Sequence, residues 1–223
     1  MIKKLLPLIS LIFLAAGCMH PNLGNILMSG ELLTSKYFKT VKISSIKNTK
    51  PKTKKCKSDK KGIDEMNYRE AICYIQTIPE VKDYLKNYMK YEDKIRAETF
   101  NMNYSDRKGV CIDYVICAAA LLSDNGYRPL ALLMKNEGDK QAKHAIYTYK
   151  VKNKYGGIGN SLLTGEFETL DELVKGLNNE NNHHYGYYCI VDLDEIYPEK
   201  IWIDGDKKLR WKYIHDCDWI RIE

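Results

Sequence analysis

The sequence predicts an α+β domain: a helical N-terminal half with a buried helix packed on an antiparallel β-sheet. Three observations predict it. Val110 through Leu122 is apolar on almost every side and runs to Asn125-Gly126, and a helix apolar all round is a buried one. After Pro129 the hydrophobic period shortens from helical to strand-like. Helices come first and strands second instead of alternating, the order of an α+β domain. Of the 223 residues, about 206 remain once an expected leader is removed, a length that suits one domain.

The leader is read from Lys3 and Lys4, the apolar run Leu5 to Leu14, and Ala15-Ala16-Gly17-Cys18. The run is too short to span a bilayer, which takes about 20 apolar residues, and it has the layout of a signal peptide. Cysteine after Ala-Ala-Gly resembles the lipobox of bacterial lipoproteins. By that resemblance residues 1–17 are a lipoprotein signal peptide and Cys18 is the lipidated first residue of the mature chain. The plainer alternative is an ordinary secretory signal cut nearby. Both export the chain. Met19, where inner-membrane lipoproteins carry Asp, points to the periplasmic side of the outer membrane.

Residues 18–62 read as a lipidated cysteine followed by a basic tether. Eight lysines (Lys47, Lys50, Lys52, Lys54, Lys55, Lys57, Lys60 and Lys61) face a single acid, Asp59, so residues 47–61 hold a net +7. The whole chain is +6 and loses Lys3 and Lys4 with the leader, so the rest of the mature protein is mildly acidic. The basic character therefore belongs to one segment, which contacts solvent or anionic headgroups and wall polymers. Nucleic acid is not an expected partner: the chain is exported and no aromatic residues interleave these lysines. Tyr37 to Ile43 alternates enough for an edge strand.

The domain proper is expected over 63–223. Met66, Ala71, Ile72 and Ile75 share a helical face within 64–77, and Pro79 opens a second helix over 79–91. The stretch 91–104 fits no single period. Strands are expected at 130–134, 142–151, 154–159 and 187–193, with a short helix at 170–177. Further strands are expected at 201–203 and 208–213, joined by an Asp204-Gly205 hairpin turn.

Cys111 opens the buried helix, where unpaired backbone N–H groups and the helix dipole favour the thiolate, the nucleophilic form. Gly109 leaves room for a substrate backbone. The bland alternative is a buried structural cysteine. His144 begins a strand, and Asn160 follows a second strand that a turn around Asn153 would pair with the first. A histidine can take the thiol proton, and an amide can orient the imidazole.

Gly-Val-Cys-Ile-Asp-Tyr, then Ala-Leu-Leu, Asn-Gly-Tyr, an apolar strand and His-Ala-Ile-Tyr-Thr-Tyr resembles the core of the transglutaminase-like superfamily, within the papain-like cysteine enzymes. The resemblance covers roughly residues 95 to 180. It implies a catalytic set of Cys111, His144 and Asn160, although many members carry Asp, often after Trp, where this chain has Gly159-Asn160; Ser161 and Asp171 are substitutes. The oxyanion would be held by the Cys111 backbone N–H and a side chain from among Asn101, Asn103 and Tyr104. Asp113 is expected to serve the first helical turn or anchor a neighbouring loop.

His183-His184 lies in a polar run and reads as a loop, since adjacent histidines are poorly spaced for one metal. No metal or cofactor is called for. Besides Cys18 there are six cysteines, and an exported protein permits disulfides. With Cys111 free and Cys117 buried, Cys56–Cys73 and Cys189–Cys217 close the shortest loops of three possible pairings. The expected function is an exported, lipid-anchored cysteine enzyme attacking amide bonds of a peptide or protein in the cell envelope, as peptidase, amidase or acyltransferase. The alternative is a catalytically silent domain of the same fold, used as an envelope binding or scaffold lipoprotein.

Overall fold

The computed structural model describes residues 41–50, 52, 62–93, 97–160, 165–205, 209 and 217–223. The expected leader, Cys18, Cys56 and Ser161 lie outside the described residues, as does most of the lysine run.

Four helices come first. α1 (Tyr68–Tyr74) starts at Asn67, whose side chain accepts from the Arg69 and Glu70 backbone N–H while Glu70 returns a bond to the Asn67 N–H. α2 (Ile78–Tyr88) has the same reciprocal cap between Thr77 and Glu80, with Pro79 in its first turn. β1 (Lys90–Tyr91) leads to α3 (Phe100–Asp106), the helix hidden in the aperiodic stretch. α3 ends at Arg107, at φ 56°, whose guanidinium lies 4.6 Å from the Tyr104 ring centroid and 5.3 Å from that of Tyr88. β2 (Lys108–Gly109) pairs in parallel with β1. The chain then enters α4 (Cys111–Leu122), a 3₁₀ turn at Ser123–Asn125, and Gly126 at φ 81°, the left-handed stop the sequence predicts.

The remaining strands are β3 (Leu130–Lys135), β4 (His144–Val151), β5 (Lys154–Ile158), β6 (Tyr187–Asp192) and β7 (Ile220–Arg221). They form one antiparallel sheet in the order β5-β4-β3-β6-β7. Lys152 and Asn153, both at positive φ, make the tight turn between β4 and β5. Both faces of this sheet are covered. Ala131, Leu133, Ala145, Tyr147, Ile158 and Val191 join the cluster built around α4, α1, α2 and α3. Leu130, Leu132, Ile146 and Ile190 meet Leu170, Leu173, Val174 and Leu177 of α5 (Leu170–Asn181) on the other side. α4 is apolar all round because it lies between the sheet and the three earlier helices, with eleven of its twelve residues buried.

Two expectations are corrected. Residues 201–203 are not a strand, and Asp204-Gly205 is not a hairpin turn. Leu193–Ile196 forms a single turn, α6, and Ile201–Asp204 forms another, α7, closed by the Gly205 N–H on the Ile201 carbonyl. Consecutive Trp202 and Ile203 are both buried, which a half-exposed strand does not allow, and the Trp202 indole N–H donates to Asp194 at 3.0 Å. The second correction concerns the tether. Val41 and Ile46 are buried on the α5 side of the sheet, and the Thr49 N–H donates to the Lys150 carbonyl. The folded unit thus begins ahead of residue 63, because three apolar side chains, Val41, Ile43 and Ile46, dock the segment.

Candidate active site

Cys111 is the first residue of α4 and is partly exposed, whereas Cys117, on the same helix, is fully buried. Asp113 organises what surrounds it. Its carboxylate accepts from the Val110 N–H at 2.9 Å, the Glu98 N–H at 2.8 Å and the Asn103 side-chain amide at 3.0 Å, all in a wholly buried position. Charge-assisted bonds of this kind fix the loop before α4 and place negative charge at the helix N-terminus. Gly109 is required by the same carboxylate: a Cβ there would lie 2.4 Å from the Asp113 Cβ. The room at Gly109 is thus filled by Asp113 from within the protein.

The oxyanion candidates divide. Asn103 donates to the Glu98 carbonyl as well as to Asp113, and the Tyr104 hydroxyl donates toward the Ile63 and Met66 carbonyls. Both braces hold α3 in place and are turned to structure. Asn101 is half-buried in the first turn of α3, its carbonyl oxygen accepting from the Thr99 hydroxyl. That leaves its amide N–H₂ uncommitted by this contact.

His144 begins β4, where the sequence expects it. Twelve residues of helix and six of strand both run about 18–20 Å, so the hairpin from α4 into β3 returns to the level where α4 began. Met134, near the end of β3, is paired with His144. Cys111 and His144 therefore share one end of the sheet. Their side chains do not share a face. Side chains alternate along a strand, and Ala145 and Tyr147 hold the α4 side, so His144 points with Ile146 to the α5 side. There its ring stacks on Tyr185 at 5.9 Å and 4° and lies 6.2 Å from the His183 ring. Burial, with a smaller contribution from His183, pushes its pKa down to about 4. Its Nε2 has no hydrogen-bond partner among the described residues.

Asn160 is exposed, two residues beyond Ile158, and the β4–β5 register carried past Tyr147–Ile158 sets it beside Ala145 instead of His144. The described geometry thus brings Cys111, His144 and Asn160 to one region but does not converge their side chains. Asp171 lies in the first turn of α5, on the far side of the sheet from Cys111. His183 and His184 are in a loop, as expected. With Lys175, Asn178, Asn179 and Asn182 they line an open concavity of about 430 Å³. The packing of His183 and Tyr185 on His144 has no local signal in sequence. Among the described residues no group of three His, Cys, Asp or Glu side chains is placed to hold a metal ion, and no helix is long and apolar enough to cross a membrane.

A cysteine opening a buried helix that packs on an antiparallel sheet, with histidine at the start of the second strand after it, is the framework expected of a transglutaminase-like domain. The family model for the transglutaminase-like domain matches residues 44–162, just over half the chain, and the protein belongs to that family. The match contains Cys111, His144 and Asn160 and begins in the docked segment around Val41 to Asn48. No curated protein matches the chain.

Proposed function

We propose that the protein is an exported, lipid-anchored transglutaminase-like cysteine enzyme acting on amide bonds in the cell envelope, with Cys111 as nucleophile. The observation that carries this reading is the partly exposed thiol at the first position of α4, on an N-terminus held rigid by the buried Asp113 network. The Cys111 thiolate adds to an amide carbonyl, and the oxyanion is received by the Cys111 backbone N–H and the Asn101 amide. Collapse expels the amine, which takes a proton from water, and leaves a thioester. Water then releases the acid, or an amine carries the acyl group away. His144 and Asn160 stand at the same end of the sheet and act as base and orienter in this reading once the imidazole is turned to the α4 face. The leader and Cys18 supply export and the anchor, with the membrane as partner and the outer membrane's periplasmic side as the site.

A second reading, a catalytically silent envelope binding or scaffold lipoprotein, is favoured by one observation. The buried imidazole of His144 is stacked on Tyr185 on the face away from α4, where a positive charge is disfavoured. Profiling envelope extracts with the wild-type protein beside Cys111→Ala separates the two. The enzyme reading expects released or transferred amines with the wild type alone, and labelling of Cys111 by an amide or epoxide electrophile. Equal labelling of both proteins removes it.

A further inference from the structure

Cys189 and Cys217 are a second pair of cysteines, on the α4 face of the sheet near the end that Cys111 and His144 share. Cys189 lies in β6, fully buried, and Cys217 is partly exposed, two residues ahead of Trp219 and three ahead of β7. Both are free thiols, so the bridge expected between them from sequence is absent from this structure. Both side chains nevertheless belong to the α4-side core, Cys189 within it and Cys217 packed against it, and after burial the neighbouring Cys217 raises the Cys189 thiol pKa. The register of β6 with β7, Tyr188 against Ile220, brings the chain back beside Cys189. Cys73, by contrast, is already disulfide-bonded in the same molecule.

We infer that Cys189 and Cys217 are a paired oxidation site, a reduced latch that closes by disulfide exchange and fastens the C-terminal segment to the sheet. The geometry sets the order of events. Cys217 is the thiol that solvent reaches, so its thiolate attacks a small disulfide, expels one thiol and becomes a mixed disulfide. The Cys189 sulfur then attacks the Cys217 sulfur, expels the second thiol and leaves the intramolecular bond. Two protons and two electrons pass from the cysteine pair to the small disulfide, which becomes two thiols. A buried Cys189 cannot meet the oxidant itself, so Cys217 acts as its gate.

What the latch fastens is marginal without it. β7 is two residues long, at the edge of the sheet, and adds only two paired positions to β6. Its other ties include the Ile222 N–H on the Gly186 carbonyl, the Trp219 ring 4.6 Å from the Lys135 ammonium and packed on the first core, and Ile220 and Ile222 against the second core. A cross-link over the 27 intervening residues removes freedom from the unfolded chain and holds this edge strand in place.

The test incubates the mature full-length protein with oxidised glutathione, alkylates it without reduction, and maps tryptic peptides. The expected result is a disulfide joining peptide 176–200 to peptide 213–221, loss of alkylation at Cys217, and a rise in Tm of about 5 °C or more. Cys217→Ser should lose the Tm rise and leave Cys189 unmodified, while Cys73 stays bridged. Three outcomes overturn the inference: Cys217 still fully alkylated, Cys217 trapped as a stable glutathione adduct, or Cys217 joined to a second chain.

Discussion

At the scale of single residues, Asp113 and His144 carry the most consequence. Asp113 is a buried carboxylate that accepts three N–H donors. Its removal leaves them unsatisfied, and Asp113→Ala is expected to cost about 3–5 kcal/mol in denaturant unfolding. Gly109→Ala pushes a Cβ into the same carboxylate and should be destabilising alone but much less so on top of Asp113→Ala, a non-additivity that a double-mutant cycle measures. His144 has a pKa depressed to about 4 by burial, below the usual 6.5 of the unfolded chain. The unfolded state therefore binds the proton first, and the stability contributed by neutral His144 is full above pH 6.5 and falls as pH drops toward 4. Between pH 7 and 5 the wild type should lose about 2 kcal/mol more than His144→Gln. Parallel urea curves for the two proteins across that range would contradict the buried, neutral imidazole.

At the scale of elements, the buried helix is the part most legible in sequence. Its apolar circumference, Asn125-Gly126 stop and cysteine start all correspond to α4 as observed. Ala118, Ala119 and Ala120 are essentially without exposure because sheet and helices close on both sides. Ala119→Leu should overpack this contact and cost about 1–3 kcal/mol, seen as a lower denaturant midpoint at unchanged slope. The β4–β5 hairpin is legible for the same kind of reason, since alternation and the Lys152-Asn153 turn are local. The face His144 occupies is not. When both sides of a strand are buried, apolar residues occupy both parities, and the pattern no longer says which set faces which helix. Nor is α7 legible: Ile-Trp-Ile reads as β-branched and aromatic strand, and burial of Trp202 with its indole N–H on Asp194, eight residues back, decides for a turn.

At the scale of the whole molecule, one sheet divides two cores. α4 and the earlier helices fill one side, and α5 with the docked segment from Val41 to Ile46 fills the other. The α+β class and the transglutaminase-like family follow from element order and the spacing of a few residues, which is why they can be read without coordinates. The boundary of the folded unit cannot, because docking of Val41 and Ile46 rests on a groove that distant elements create. The functional account rests on Cys111 being an activated nucleophile at the start of α4. Site-resolved alkylation of that thiol as a function of pH, read by mass spectrometry beside Cys117 and Cys217, tests this most directly. The account predicts a Cys111 midpoint well below the ordinary value of about 8.5, with Cys117 unreactive throughout. A Cys111 midpoint at or above about 8.5 would contradict it and leave the silent binding domain.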